Sequence, residues 1–501
     1  MENGNRARTP RLRVCVIGAG VSGLAAAKIF REEGHEVTVF ERSDQLGGVW
    51  HPRRAYAGLT TQTPGDQYAF SDFPTPANYP DWPSASHVQA YLRAYAERFG
   101  VAPLIRYRST VVHAAPHTEG KPTWSVTVDG PQGRSVHACD FLLVCNGIFC
   151  VPHLPELPGV RRFAAAGGTV RHTSACGSAE LFRGKRVVVV GFGKSAMDIA
   201  AVAAPRAEKV HLVVRRAVWT VPRFFGGLVH IRHVCTSRLW ESLMPARSPG
   251  RPRLEAGRRR LLSVLWRGLE LLFSCQFGLR GSRLRPAHRF RDQVASGFQV
   301  APEALFRLIR AGRIEVHRAG ADAFTPEGVV LSDGRVLGAD VVVFGTGYRQ
   351  ELSFLDPALS GKIVDAEGRY RLYRCLVSPE VPGLGFVGYN SSLFTPTTSE
   401  LGARWLAAHA AGRISLPSPV EMNRAIDAEL LTGKTVRPLS GRFSGIHVVP
   451  YTYSYLDALR KDLKMLRPAH KVSGMCHYFK AFSPHDYAPG PAGRGPAREK
   501  R

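Results

Sequence analysis

Gly18-Ala19-Gly20-Val21-Ser22-Gly23 has the spacing of a main-chain cradle for a diphosphate. Gly18 makes the tight turn, Gly20 lets a pyrophosphate approach the backbone, and Gly23 lets the next helix lie close on its sheet. The free N–H groups and positive end of that helix then face the phosphates. Glu41, about 20 residues on, can accept from a ribose hydroxyl. Gly191-Phe192-Gly193-Lys194-Ser195-Ala196 repeats the device in its G-x-G-x-x-A form. Where the first unit has Glu41, the second has Arg215-Arg216. A carboxylate there would repel a 2′-phosphate, whereas arginine pairs with it, so the second site is expected to prefer NADPH to NADH.

The flanking residues show which elements must position these groups. Residues 14–17 are an apolar run that reads as a buried parallel strand, residues 24–31 have helix-forming composition, Gly34 ends that helix, and residues 35–40 read as a second strand. This strand–turn–helix–strand context is what gives a glycine motif its meaning. Residues 186–190, a helix to Ala203 and a strand over 210–214 repeat it. Residues 105–145 alternate like a β-meander, and the run at 141–147 reads as a strand returning to the first sheet. Residues 86–99 read as a helix capped by Ser84 or Ser86. Residues 313–335 read as strands with a hairpin turn at Asp333-Gly334. Residues 340–348 form a further buried strand, ending in the turn Gly345-Thr346-Gly347 and predicted to bring the chain back to the first domain. Residues 381–388 and 395–406 continue that domain, and residues 455–466 read as an amphipathic helix.

The predicted fold is therefore α/β, with two Rossmann-like dinucleotide-binding domains, the second inserted into the first. Residues 1–158 and 339–485 are the two parts of the outer domain, residues 159–338 the inserted one, and residues 486–501 a disordered basic tail. The proline-rich stretch 152–158 marks the first boundary.

Two stretches lack a clear period. Gly47-Gly48-Val49-Trp50 follows the first ribose strand, and its paired glycines permit close approach to a cofactor. Residues 51–84, which contain Thr61-Gln62-Thr63-Pro64, are long and irregular enough to be a functional loop. Residues 222–300 are basic with helical patches such as 261–273, where Arg267 and Glu270 break the apolar run and argue against a membrane span. A helical insert packed over the active site is expected there, with peripheral membrane contact through an amphipathic helix as the alternative.

Composition excludes several classes. With 44% hydrophobic and 21% charged residues the chain is globular rather than disordered. The net charge of +27 is spread along the chain and mostly arginine, which reads as a basic surface rather than a nucleic-acid site. Nine scattered cysteines show neither zinc spacing nor a secreted disulfide framework. Residues 1–13 have no apolar core and do not read as a signal peptide, so a cytoplasmic location is expected.

Two nested dinucleotide folds suggest a flavoprotein reduced by a nicotinamide. The chain resembles the flavin-containing monooxygenases, the class B flavoprotein monooxygenases. The matches are Gly18 to Gly23, Glu41-Arg-Ser-Asp-Gln-Leu-Gly-Gly-Val-Trp50, Phe70-Ser-Asp-Phe-Pro74, Gly184 through Asp198, Phe344-Gly-Thr-Gly-Tyr348 and Ala403-Arg-Trp405. The family's identifying stretch, F-x-G-x-x-x-H-x-x-x-F/Y, is only partly kept: Gly168 and His172 match, but Ala166 and Cys176 stand where aromatics belong. His172 is expected to be a structural histidine. Animal-type members place an asparagine near the flavin's reactive carbon, and Gln62 occupies that position here.

The resemblance implies FAD on the first loop, with Gly48, Val49, Trp50, Thr61, Gln62 and Thr63 beside it. It implies NADPH on the second, with Gly191, Gly193, Lys194, Ser195, Ala196, Arg215 and Arg216, and with Thr346 and Gly347 near the cofactors. Gln62 is the one catalytic candidate, and no metal is implied. The implied reaction forms a C4a-(hydro)peroxyflavin from O2 and oxygenates the nitrogen or sulfur of a small organic substrate. Baeyer–Villiger oxygenation of a ketone, usually with an arginine near the flavin, is the first rival. A non-oxygenating NADPH–flavin reductase is the second, since Cys145 and Cys150 have disulfide-reductase spacing but follow a late strand. The expected partners are substrate and O2, with a homodimer left open and no specific nucleic acid.

Overall fold

The computed structural model describes residues 10–117, 123–244, 252–294, 297–390, 392–436, 452–465 and 476–489. The chain opens with β1 (Arg13–Ile17), α1 (Val21–Glu32) and β2 (Glu36–Phe40), β1 and β2 being parallel and in register from Arg13↔Glu36 to Ile17↔Phe40. α2 (Ala85–Arg98) starts at Ser84, whose hydroxyl accepts from the His87 N–H and so satisfies an otherwise unpaired donor of the first turn. β3 (Ile105–Arg106) forms the sheet edge. β4 (Thr110–His117), β5 (Thr123–Gly130) and β6 (Gly133–Cys139) make the expected antiparallel meander, and β7 (Phe141–Val144) returns beside β1. β7 is buried at every position, as a central parallel strand covered on both faces must be.

β8 (Val151–Pro152) and α3 (Val160–Ala165) lead to a second parallel sheet. It is built from β9 (Thr169–His172), β10 (Arg186–Val190), α4 (Lys194–Ala203) and β11 (Lys209–Val213). An excursion follows: β12 (Thr220–Val221), the hairpin β13 (Phe224–Phe225) and β14 (Val229–His230), α5 (Arg238–Leu243), α6 (Pro252–Gln276), α7 (Phe290–Val294) and β15 (Gln299–Val300), which pairs back onto β12. The sheet resumes through α8 (Glu303–Arg310) and β16 (Ile314–His317). A second meander, β17 (Ala321–Thr325), β18 (Gly328–Leu331) and β19 (Val336–Gly338), precedes β20 (Val341–Phe344). The strand order is β16-β11-β10-β20-β9.

That order corrects one expectation. Residues 340–348 do not carry a strand back to the first domain; β20 fills the slot between β10 and β9. The physical reason is that a strand buried on both faces needs ladder partners on both sides. Asp340 sets its register by accepting from the Arg186 N–H (2.8 Å) and guanidinium (2.7 Å). Asp140 accepts from Arg13 in the same way in the first sheet. The chain crosses back only at β21 (Tyr348–Arg349), which pairs antiparallel with the outgoing β8. After α9 (Pro357–Ile363), β22 (Leu384–Phe386) completes the first sheet in the order β22-β7-β1-β2-β3. α10 (Thr395–Ala410) packs on α1, followed by α11 (Pro419–Val436) and α12 (Thr452–Asp462).

The excursion is a packed aromatic body. Trp240, Trp266, Phe273 and Phe290 are all buried, with Trp240 meeting Trp266 edge-on at 5.4 Å. Leu261 and Val264 of α6 stay exposed on its outer side. Among the described residues no helix is long and apolar enough to cross a membrane. The first residues of the expected tail are instead ordered: Asp486 and Tyr487 lie in a helical turn, with the Tyr487 ring buried beside Phe482. Residues 490–501 lie outside the described residues.

Candidate active site

One cavity of about 1300 Å³ opens where the carboxyl ends of both sheets converge. That is where open parallel sheets take their ligands. The main chain shapes its first end. Gly18 has φ +102°, and a Cβ there would lie 2.8 Å from the Cys145 carbonyl oxygen. Gly20 and Gly48 face each other so closely that a Cβ on Gly48 would stand 3.2 Å from the Gly20 Cα. A Cβ on Gly23 would lie 1.8 Å from the Gly18 carbonyl oxygen, so this glycine serves packing and does not line the cavity. Ala19 is also off the cavity wall; its N–H donates to Glu41 Oε2 at 2.7 Å, while the Ser43 N–H donates to Oε1 at 2.8 Å. These bonds fix the carboxylate at the cavity edge and leave each oxygen a lone pair for a ribose hydroxyl.

The second end repeats the first with different side chains. Gly191 has φ +126°, and its Cβ would lie 2.5 Å from the Gly345 carbonyl oxygen. Ala196 is buried against Gly345 and, like Gly23, does not line the cavity. Lys194 lines the cavity, but its ammonium pairs with Asp198, which also accepts from the Tyr56 hydroxyl at 2.9 Å. Burial pushes the lysine's pKa down and the aspartate's up. The Ser195 hydroxyl accepts from Thr173 Oγ1 at 3.2 Å. Arg215 and Arg216 are exposed on the cavity wall and form no ion pair or side-chain hydrogen bond among the described residues. Thr346 donates to the His153 carbonyl, and the Gly347 carbonyl accepts from His172 Nε2 at 3.0 Å. With Ser174 on its other nitrogen, His172 is the structural histidine the sequence suggested.

The irregular 51–84 segment supplies the middle of the cavity. Thr61 donates to the Thr63 carbonyl at 2.8 Å, and Thr63 to the Leu393 carbonyl at 3.2 Å. Gln62 Oε1 accepts from the Val300 N–H at 3.1 Å. The excursion therefore closes over the cavity through β15, and Gln62 is anchored by its oxygen with its NH2 group left for a ligand. Val49 and Trp50 also line the wall, Trp50 anchored by its indole N–H on the Tyr68 hydroxyl at 2.9 Å. Sequence reasoning missed Tyr56, Asn146 and the cavity arginines Arg42 and Arg54. Arg42 directly follows Glu41, which was a readable signal; Arg54 and Tyr56 lie in a segment with no period to read.

Both helices that point at the cavity, α1 and α4, begin at a glycine with no side-chain cap and carry no acidic residue in their first turn. Uncapped N–H groups at a glycine floor suit phosphate oxygens. The residues present thus fit two dinucleotides. Cys145 and Cys150 are both free, Cys150 donating to the Gly147 carbonyl at 2.9 Å. Burial pushes both thiols up, away from the thiolate a disulfide relay needs.

Fold and site together define a two-dinucleotide oxidoreductase. Residues 11–249 and 282–440 match the family model described as FMO-like, flavin-binding monooxygenase-like, and the chain belongs to that family. The probable flavin-containing monooxygenase 1 of Arabidopsis thaliana is 30% identical over 515 residues, covering 95% of this chain and 96% of that protein. Flavin-containing monooxygenase 5 of Mus musculus is 31% identical over 474 residues, covering 91% and 83%. Among solved structures, the S-allyl-L-cysteine S-oxygenase of Allium sativum superposes with a TM-score of 0.63 at 23% identity, covering 91% of this chain and 89% of that one. The OTEMO complex with FAD and NADP superposes at 0.70 with 18% identity, covering 91% and 98%. These two share its fold. The protein is an oxidoreductase whose cofactors are FAD and NADPH.

Proposed function

We propose that the protein oxygenates a soft nucleophile, the sulfur or nitrogen of a small organic molecule, with NADPH and O2. The supporting observation is that one continuous cavity is lined by both glycine loops and closed over its middle by the Gln62–Val300 contact. When bound, FAD supplies the redox chemistry, taking hydride from NADPH and activating O2. The chain's residues bind, orient and keep water out. The α1 loop and Glu41 hold the flavin nucleotide; the α4 loop, Arg215 and Arg216 hold the nicotinamide nucleotide. The Gln62 NH2 group donates into the space between them.

The placement of the four arginines lining the cavity bears on the choice between this reading and ketone oxygenation. Arg42 follows Glu41 and donates to the Cys150 carbonyl, and Arg215 and Arg216 follow β11, so these three belong to the nucleotide ends; Arg54, in the irregular 51–84 segment, is tied down by donating to the Phe149 carbonyl. Arg223 approaches the middle from behind, stacked on Trp82 and donating to Thr60 at 3.2 Å, and does not line the cavity.

The test is oxidation of an aryl sulfide, a tertiary amine and a cyclic ketone under isotopically labelled O2. One labelled oxygen in sulfoxide or N-oxide is expected, and lactone as the main product would overturn the reading. Gln62→Ala should lower product formation at least about tenfold, the scale of losing one positioned donor, while NADPH consumption continues and hydrogen peroxide accumulates. Unchanged coupling in that variant would remove Gln62 from the mechanism.

A further inference from the structure

Three ligand-type side chains meet on one face of the second sheet, away from the cofactor cavity. His211 on β11 pairs across the ladder with Glu315 on β16, and His317 follows two residues later. The period of two along a strand puts all three on the same face. His211 Nδ1 lies 2.9 Å from His317 Nε2, and each nitrogen lies 3.6 Å from a different oxygen of the Glu315 carboxylate. An ion held at about 2.0–2.2 Å from each ligand fits between these groups once the hydrogen-bonded nitrogens part by roughly half an ångström to the tetrahedral spacing. Both histidines are buried, at 6% and 1% exposure, whereas the Glu315 side chain is 50% exposed and leaves an entry path. None of the three lines the cofactor cavity.

We propose that His211, His317 and Glu315 form a binding site for a divalent transition-metal ion, zinc foremost, with water as the fourth ligand. Two imidazoles and one carboxylate suit zinc in preference to calcium or magnesium. Ligation needs a lone pair on both facing nitrogens. His211 then carries its proton on Nε2 and His317 on Nδ1, both rings remaining neutral. Two cations now compete with the metal: Arg335 donates to His317 Nδ1 at 3.2 Å, and Lys209 lies 3.2 Å from Glu315 Oε2. Arg283 stands close by, donating to the Val316 carbonyl at 3.3 Å. Arg335 already has an alternative partner in Asp333, bound at 3.0 Å through Nε, so it can release His317 without losing its ion pair.

The ion would staple the edge strand β16 to β11. The segments that follow these strands, Ala319 to Asp322 and Arg215-Arg216, form the NADPH side of the cavity. The site would therefore fix the shape of the nicotinamide half without touching the chemistry.

The test uses flavin-loaded full-length protein, stripped with a chelator and equilibrated with zinc chloride by dialysis, with bound zinc measured by elemental analysis. One zinc per chain at about 10 µM free ion is expected, together with a rise in Tm. Glu315→Gln, a half-exposed position that leaves the core intact, should weaken binding at least about tenfold, and His317→Asn should abolish it. Arg335→Ala should tighten binding by removing the competing donor. Absence of zinc at that concentration, or a bound zinc unaffected by Glu315→Gln and Arg335→Ala, would overturn the proposal.

Discussion

The two nucleotide loops follow one plan with different parts. In each, an arginine opens the central strand and is clamped by the aspartate that precedes the neighbouring strand: Arg13 with Asp140, Arg186 with Asp340. In each, the first glycine turns beneath the carbonyl of the residue after that neighbour, Cys145 or Gly345. The difference lies in which side yields space. In the first unit the helix yields it, through Gly23, while Cys145 keeps its side chain. In the second the helix keeps the Ala196 methyl and the facing loop yields, through Gly345. The same close approach is reached from opposite sides, so the G-x-G-x-x-G and G-x-G-x-x-A forms are equivalent only with their partner strands. The second difference is electrostatic. Glu41 is fixed by two backbone N–H groups, whereas Arg215 and Arg216 make no such bonds, which fits a hydroxyl at one end and a phosphate at the other.

Breaking the packing asymmetry should have the largest effect. Gly23→Ala puts a Cβ 1.8 Å from a carbonyl oxygen, with backbone on both sides. A loss of about 4 kcal/mol or more is expected, with flavin no longer retained on gel filtration. The matching change in the second loop, Ala196→Gly, should cost about 1 kcal/mol and leave the flavin bound. Urea midpoints of the two variants provide the measurement. Equal losses would show that the loops are not packed differently.

The charge difference comes next. Arg215→Ala should raise the KM for NADPH about 10-fold or more, the scale of one or two charge-assisted hydrogen bonds, and change that for NADH by less than about twofold. Steady-state kinetics with both nucleotides decides it. An equal loss for both would place the 2′-phosphate elsewhere.

The smallest effect should come from the clamp the two units share. Its hydrogen bond to Arg186 holds the Asp340 carboxyl below its ordinary range. That contribution is complete above the unfolded carboxylate value of about 3.9 and is lost as pH falls through the depressed folded value. Asp340→Asn should therefore flatten the fall of Tm with pH below about pH 4. Identical slopes in wild type and variant would mean that the clamp does not stabilise the sheet.

Both loops, their helices, Glu41 and the Arg215-Arg216 pair were legible because each depends on contacts within about 30 residues of chain. The identity of the strand at 341–344 was not. Its apolar run satisfies either sheet equally well, and only the register set by Arg186 assigns it to the second. The same limit applied to Gln62. The sequence offered an amide, but the Val300 N–H that anchors its oxygen lies 238 residues away. The proline- and glycine-rich surroundings of Tyr487 give no local reason for order. Its burial beside Phe482 and the α12 region supplies that reason.

The sequence by itself determined the class of fold, the two glycine turns and the sign of the charge that follows each second strand, because short-range sterics and side-chain charge decide those. The tertiary structure alone decided which sheet receives each buried strand, what anchors the Gln62 amide, and that His211, Glu315 and His317 share one face. Those outcomes depend on hydrogen-bond partners and burial between segments remote in the chain, and such pairings leave no periodic trace in the residues that make them.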